Sequence, residues 1–185
     1  MATIRSGNRT VLLVIDFQVG VVAEAWDAAR VGANIATAVA RARAQDVPVI
    51  WVQHEDVEMP RDTPAWQFVP ELQPAEGETR ICKKYNSAFE ESPLEARLAR
   101  LGATRIVLAG AMTNWCIRST AYAALERGYD LTLLKDAHTT SDLDMRNGTV
   151  RPAQGIVDDL SVAMNWVEYP GRVAKTATAA EVEFG

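Results

Sequence analysis

VLLVIDFQVGVVAEAWDAARVGANIATAVARARAQDVPVIWVQ, residues 11–53, contains two apolar runs separated by one helical pattern. The five leading residues are all apolar, which predicts a buried strand. The middle of the segment forms one apolar helical stripe, which consists of Val31, Ile35, Ala38, Val39 and Ala42. The second apolar run spans Pro48–Gln53. A strand, a helix and a strand in this order form a βαβ unit, whose crossover helix makes the two strands parallel.

The same alternation continues through the rest of the chain. Further strands are predicted at 80–84, 105–109 and 130–134, with a weak strand around 172–176. Helices are predicted to open near Ser92 and Pro93, to span Asn114–Arg127 and to lie within Pro152–Trp166. Residues 55–78 are polar and proline-rich, which indicates an ordered excursion from the sheet. Long ordered loops of this kind often line a functional site. We therefore expect an α/β fold, with one domain over residues 1–185 and a parallel sheet covered on both faces.

Composition and charge disfavour several classes of protein. Of the 185 residues 48% are hydrophobic, and the net charge of −5 comes from interspersed acidic and basic residues. Without a basic stripe, neither nucleic acid nor a membrane is an expected partner. No apolar run approaches the ~18 residues of a membrane span, and Met1–Thr10 lacks a signal-peptide pattern, so we expect a cytoplasmic location. Two cysteines indicate reduced thiols, and two histidines are too few for most zinc sites, so no metal is expected.

Three polar residues follow predicted strands at the edge where parallel sheets gather functional groups. Asp16 ends the first apolar run, Lys83 lies near the end of the third, and Cys116 opens the helix after the fourth. Thr113 is the expected N-cap of that helix. The thiol then lies in the first turn, where free N–H groups and the helix dipole stabilise an anion. With a nearby cation, this position favours a nucleophilic thiolate.

Each of these residues also has a structural interpretation. Cys116 can be a small core residue, and Asp16 can cap a loop without taking part in chemistry. Strand alternation sends Cys82 and Lys83 to opposite sides, so Cys82 is expected to be structural and unpaired if Lys83 faces the site. Alternation alone does not exclude Lys84 as the cation near the thiol in place of Lys83.

Several motifs carry a resemblance to a known family. They are VIDFQ at 14–18, KKYNSAF at 83–89, GAMTNWC at 110–116 followed by STAYAAL at 119–125, and GY at 128–129 with KDAHTT at 135–140. Together they resemble the isochorismatase-like cysteine hydrolases, the superfamily that includes nicotinamidases and N-carbamoylsarcosine amidohydrolase. The likeness covers nearly the whole chain. It implies a three-layer α/β/α domain with a six-stranded, mostly parallel sheet.

The resemblance also implies a catalytic triad of Asp16, Lys83 and Cys116. The spacing to the Ser-Ala-Phe segment selects Lys83 over Lys84. In these roles Asp16 takes the thiol proton and later returns it to the leaving nitrogen, while Lys83 offsets the negative charge. Attack by the sulfur gives a tetrahedral intermediate and then a thioester, which water cleaves. The implied activity is hydrolysis of a C–N bond in a small amide or ureido compound.

Further site residues follow from the same resemblance. The cis peptide of the family matches Ala111–Met112, so that the N–H groups of Met112 and Cys116 converge as an oxyanion hole. Gln18, Trp66 and Trp115 are the candidates for substrate contacts. The two tryptophans are chosen by position, Trp115 beside the nucleophile and Trp66 in the excursion with Phe68, and core or dimer contacts are an equal alternative for these aromatic residues. No cofactor is expected. The family often dimerises or tetramerises, so we expect a homodimer or homotetramer that acts on a small molecule.

Differences from the family's sequence motifs restrict which of the family's activities the chain is expected to have. The Asp-x-His metal cluster of nicotinamidases has no counterpart at Gln53–Asp56, which disfavours a metal-bound nicotinamidase. His54 and His138 are expected to be exposed loop residues rather than parts of the pocket. Isochorismatases proper usually lack the cysteine, and a noncovalent vinyl ether hydrolase is the alternative function. A noncatalytic Rossmann-like binding domain ranks last, because no Gly-x-Gly-x-x-Gly follows the first strand.

Overall fold

Strands and helices alternate along the chain. The computed structural model describes residues 2–185, so Met1 of the predicted domain lies outside the described residues. The strands are β1 Arg9–Ile15, β2 Val49–His54, β3 Thr79–Lys83, β4 Ala103–Ala111, β5 Asp130–Thr139, β6 Leu143–Asp144, β7 Val150–Arg151 and β8 Ala174–Ala177. The helices are α1 Val19–Val22, α2 Ala28–Arg43, α3 Leu94–Arg100, α4 Arg118–Glu126 and α5 Ala153–Trp166, with a π-helical turn, Thr113–Ile117, before α4. Within residues 2–185, no helix has the length and apolar character needed to cross a bilayer.

Six of the strands form one sheet in the order β3-β2-β1-β4-β5-β8, and every neighbouring pair in it is parallel. This confirms the predicted α/β class and the six-stranded sheet. The strands predicted at 105–109 and 130–134 are longer than expected, since β4 and β5 continue toward the carboxyl edge. A register shift between β4 and β5 after Leu108 brings His138 beside Gly110.

Each face of the sheet carries its own apolar cluster. The predicted stripe of α2 is buried and covers one face, while residues of α3, α4 and α5 cover the other. Successive residues of β1 alternate between the two clusters, with Leu12 and Val14 in one and Leu13 and Ile15 in the other. Side chains on a strand point alternately to opposite faces. A strand covered on both sides therefore requires the continuous apolar run that the sequence shows.

The excursion at 55–78 packs beside the carboxyl end of β1, as an ordered segment without long helices or strands. The N–H of Val19 donates to the carbonyl of Gln67 at 2.9 Å. Phe68 packs edge-on against Trp51, with 5.2 Å between the ring centroids. Phe68 is therefore a core residue, and the excursion walls the region that follows β1.

Gly110 permits a close approach of β4 to β1. It pairs with Ile15 and has a φ of +128°, and a Cβ added to it would lie 1.9 Å from the carbonyl oxygen of Ile15. No side chain fits at that distance, so glycine is required here. The approach places the residue that follows Ile15 next to the turn that follows β4.

We expect Gly110→Ala to destabilise the fold by about 3 kcal/mol or more, because the methyl group overlaps backbone atoms that cannot move aside. Gly155→Ala is the matched control. Gly155 lies in α5, and a methyl group added to it would have no neighbouring atom within 4 Å, so alanine there should add about 0.5–1 kcal/mol of stability. Urea unfolding measures both free energies. Equal stability of the two variants would show that the β1–β4 approach is not tight.

Candidate active site

The carboxyl ends of β1, β3 and β4 bring three polar side chains to one place. Asp16 directly follows β1, Lys83 is the last residue of β3, and Cys116 lies in the π-helical turn after β4. Asp16 has a φ of +49°, a left-handed conformation that aspartate tolerates better than most residues. All three side chains are buried. The structure thus brings together the three residues selected from the sequence.

Lys83 contacts both of the other side chains. Its Nζ lies 2.6 Å from Oδ2 of Asp16 and donates a hydrogen bond of 3.3 Å to Sγ of Cys116. The Lys83 side chain is fully buried and only 1% of the Asp16 side chain is exposed, so water screens these charges weakly. Within residues 2–185 neither carboxylate oxygen has a hydrogen bond of regular geometry, so the contact with Lys83 is an ion pair. Asp16 thus forms an ion pair with Lys83 and also interacts with the Cys116 thiol.

Burial and the ion pair act in opposite directions on the two charged groups. Burial raises the pKa of Asp16 above its ordinary 3.8 and outweighs the lowering by Lys83. Burial lowers the pKa of Lys83, but Asp16 and Cys116 together raise it by more, so the net pKa is above 10.5. Asp16 thus binds a proton more strongly than an exposed aspartate does, while Lys83 remains an ammonium.

The surroundings of Cys116 favour its thiol form over the thiolate. Burial raises its pKa, the carboxylate of Asp16 raises it further, and Lys83 opposes them only in part, so the pKa is about 12. The expectation that the helix start holds a thiolate is therefore wrong. A helix dipole contributes about 0.3–1 kcal/mol, less than one pKa unit, which does not offset burial beside a carboxylate. Lys83 consequently faces one negative charge rather than two.

The turn that carries Cys116 differs from the predicted helix start. Thr113–Ile117 form a π-helical turn, and α4 begins only after it. Thr113 makes no side-chain cap, so that prediction is wrong. Its hydroxyl lies instead 2.9 Å from Nδ1 of His138. The Thr113 hydroxyl therefore contacts β5 and does not cap its own turn.

Met112 connects β4 to this turn. The peptide bond between Ala111 and Met112 is cis. The carbonyl of Met112 accepts hydrogen bonds from the N–H groups of Trp115 at 3.1 Å and Ile117 at 3.2 Å. The residues on either side of Cys116 are therefore tied to a single oxygen.

The three candidates for substrate contacts occupy different environments. Gln18 is buried, and its amide nitrogen donates to the carbonyls of His54 at 3.0 Å and Trp66 at 2.8 Å. Its oxygen accepts from the N–H of His54 at 2.8 Å. Both amide hydrogens are occupied, so Gln18 joins β2 to the excursion. Trp66 is buried, whereas Trp115, beside the thiol, is 49% exposed. The role of these residues as substrate contacts stays a prediction.

The two histidines are placed differently from the sequence expectation. His138 is 1% exposed and lies in β5, so its interpretation as an exposed loop residue is wrong. Burial lowers its pKa to about 3. His54 is half-buried at the end of β2, with Nε2 3.0 Å from Oδ2 of Asp56. Sequence reasoning missed His138 because the apolar run of β5 ends before it, and no local signal predicts the register shift.

The remaining alternatives from the sequence are settled by exposure. Lys84 is exposed, so Lys83 alone of the two lysines reaches the site. Cys82 is partly exposed, and neither cysteine forms a disulfide. Among residues 2–185, no group of three or more His, Cys, Asp or Glu side chains is arranged to hold a metal ion.

Comparison with known proteins identifies the class of this chain. Residues 10–157 match the family model of the isochorismatase domain. An isochorismatase from Pseudomonas putida has a similar structure, with a TM-score of 0.84 and 30% identity, covering 95% of this chain and 90% of that one. The chain therefore belongs to the isochorismatase family of hydrolases.

Two curated proteins with named activities are similar to this chain. It is 32% identical over 180 residues to streptothricin hydrolase of Streptomyces noursei. The aligned region covers 93% of this chain and 66% of that protein. It is 29% identical over 123 residues to maleamate amidohydrolase of Pseudomonas putida, covering 60% of this chain and 58% of that protein. The chain thus spans less than two thirds of the length of these relatives.

Asp16→Asn removes the carboxylate that raises the pKa of Cys116 and leaves Lys83, which lowers it. We therefore expect the pKa of Cys116 to fall and iodoacetamide to alkylate it faster at neutral pH, as measured by peptide mass spectrometry. Asp27→Asn is the matched control, because Asp27 also has a positive φ but is exposed and pairs with Arg30. Unchanged or slower alkylation of Asp16→Asn would contradict the charge balance described above.

Proposed function

We propose that this chain is a cysteine hydrolase that cleaves the C–N bond of a small amide or ureido compound through a thioester on Cys116. The observation that carries the proposal is the position of Lys83 Nζ, in contact with both the Asp16 carboxylate and the Cys116 sulfur. A buried carboxylate, ammonium and thiol at one edge of a sheet form a base, a counter-charge and a nucleophile. The similarity to maleamate amidohydrolase supports an amide as substrate.

In the first half of the reaction, Asp16 acts as the base. The thiol proton passes to the carboxylate as the sulfur attacks the carbonyl carbon, so a thiolate need not be present beforehand. The raised pKa of Asp16 supports this transfer, because it brings the proton affinity of the carboxylate closer to that of the thiol. Asp16 then gives the proton to the leaving nitrogen, the C–N bond breaks, and an amine or ammonia departs.

In the second half, a water molecule replaces the sulfur. Asp16, again ionised, takes a proton from the water as its oxygen attacks the thioester carbon. The C–S bond breaks, the acid product leaves, and the proton returns to the sulfur. Lys83 stays charged throughout and offsets the negative charge, which moves between Asp16 and the oxyanion of each tetrahedral intermediate.

We assign the oxyanion of each tetrahedral intermediate to the N–H groups of Met112 and Cys116. Two donors aimed at a developing negative charge contribute a large share of catalysis in acyl transfer. The hydrogen bonds from Trp115 and Ile117 to the Met112 carbonyl support the assignment, since they hold rigid the backbone that carries both donors.

The accessibility of the sulfur supports a small substrate. Cys116 is 9% exposed, whereas its neighbour Trp115 is 49% exposed. A carbonyl therefore has to reach a largely buried residue next to a half-exposed aromatic side chain. This arrangement suits a compact amide better than a bulky one.

We expect Cys116→Ala to lose roughly a thousandfold or more of its activity while remaining folded. The measurement is a screen of small amides, ureas and isochorismate, with ammonia release and product formation read for the wild type and the variant side by side. Cys82→Ala is the matched control and should keep its activity. A Cys116→Ala variant that turns over a true substrate would favour the noncovalent ether hydrolase instead.

We also expect kcat/KM to increase with pH across the acid limb and then to reach a plateau. The reaction needs Asp16 ionised, and its pKa is raised, so the limb should lie above pH 3.8, the ordinary aspartate value. Lys83 has a raised pKa and stays charged at neutral pH. A pH–rate profile with its acid limb below the ordinary aspartate value would contradict the assignment of Asp16 as the base.

A further inference from the structure

A chain of hydrogen-bonded polar side chains leads from α5 to the turn that carries Cys116, and the mechanism above does not use it. Nδ1 of His138 lies 2.9 Å from the hydroxyl oxygen of Thr113, and Nε2 lies 3.2 Å from the hydroxyl oxygen of Ser161. The Ser161 hydroxyl donates to the carbonyl of Val157 at 2.9 Å. His138 and Thr113 are both buried.

The direction of each hydrogen bond in this chain follows from counting hydrogens. A serine hydroxyl has one hydrogen, and that of Ser161 is directed at Val157, so its oxygen accepts from His138. Nε2 of His138 therefore carries the ring hydrogen. Burial lowers the pKa of His138 and keeps the ring neutral, so Nδ1 is an acceptor. The Thr113 hydroxyl donates to Nδ1, which is also the only side-chain partner that the described residues offer to this buried hydroxyl.

A second contact from the same strand end reaches the same turn. The hydroxyl of Thr140 donates to Oδ1 of Asn114 at 2.6 Å. His138 and Thr140 are two residues apart, the spacing that places side chains on one side of an extended chain. The end of β5 thus holds the first two residues of the turn.

We propose that His138 is a positioning residue, which holds the turn so that Cys116 stays against Lys83 by accepting the Thr113 hydroxyl hydrogen at Nδ1. The proposal rests on the proposed function of Cys116 as the nucleophile. The hydrogen bond between Lys83 and Cys116 is 3.3 Å long and depends on the position of the turn. A displacement of about 1 Å at a reacting atom is enough to reduce a rate on the order of a hundredfold.

Two variants of His138 distinguish the contributions of its two ring nitrogens. Asparagine can place its oxygen near the Nδ1 position and so keep an acceptor for Thr113. Glutamine reaches the Nε2 position and keeps only the contact with Ser161. We expect His138→Gln to lower kcat by about tenfold or more with little change in KM, and His138→Asn to stay within about threefold of the wild type.

Alkylation of Cys116 by iodoacetamide gives a readout that needs no substrate. If His138→Gln releases the turn, the thiol leaves its buried position, and burial is the main cause of its raised pKa. We therefore expect alkylation at neutral pH to become about tenfold faster in His138→Gln and to change little in His138→Asn. Equal effects of the two variants on both readouts would overturn the proposal, because a residue that only fills space does not distinguish the nitrogens.

Variants of Thr113 test the other end of the contact. Thr113→Val removes the hydroxyl and should have the same effects as His138→Gln. Thr113→Ser keeps the hydroxyl and should retain most of the wild-type kcat. Thr120→Val is the matched control, since Thr120 is equally buried in α4 but its oxygen accepts from the N–H of Ala88 instead. Alkylation of Thr120→Val should stay near the wild-type rate. In the double variant Thr113→Val, His138→Gln, the changes in kcat and in alkylation rate should be no larger than in either single variant.

The tautomer itself can be observed, because the chain has only two histidines. Histidine labelled with ¹⁵N should show the neutral Nε2–H form for His138, assigned by its disappearance in His138→Asn. An Nδ1–H tautomer would overturn the proposal. If Cys116→Ala keeps its activity, the proposed function fails, but the tautomer and the alkylation rates still decide the role of His138.

Discussion

Asp16 and Lys83 form a buried ion pair, 2.6 Å apart and almost without solvent exposure. Removing two charges from water costs several kcal/mol per ion, and the attraction repays this only while both partners stay in contact. Loss of one partner typically costs roughly 3–5 kcal/mol, since it leaves a charge buried and unpaired. The ends of β1 and β3 must therefore be held in a fixed relation across β2, which lies between them. The parallel sheet with two covered faces supplies this rigidity.

The ion pair also sets the state of the sulfur. One ammonium is shared by a carboxylate and a thiol, and burial makes a second negative charge expensive. Burial and the neighbouring carboxylate therefore favour the thiol form of Cys116, with the negative charge on Asp16. In the proposed mechanism, the sulfur is activated by proton transfer to Asp16 as the carbonyl arrives, rather than by a permanently lowered pKa.

The position of the sulfur depends on elements outside the ion pair. Gly110 lets β4 approach β1, and the turn after β4 is linked to β5 through Thr113 and Asn114. His138 reaches this turn only because β5 shifts register against β4. Ser161 extends the same contacts to α5. The candidate site is thus assembled from strand ends and completed by a helix that contributes none of Asp16, Lys83 and Cys116.

Apolar runs and one helical stripe were enough to predict the parallel sheet, because local periodicity reports which faces a segment buries. Strand ends and motif spacing also selected Asp16, Lys83 and Cys116, since parallel strands place their carboxyl ends at one edge. Three features were decided only by the tertiary structure: the protonation state of Cys116, the loss of the Thr113 cap and the burial of His138. Each depends on burial and on neighbours far away in the chain, and neither quantity is encoded in a local pattern.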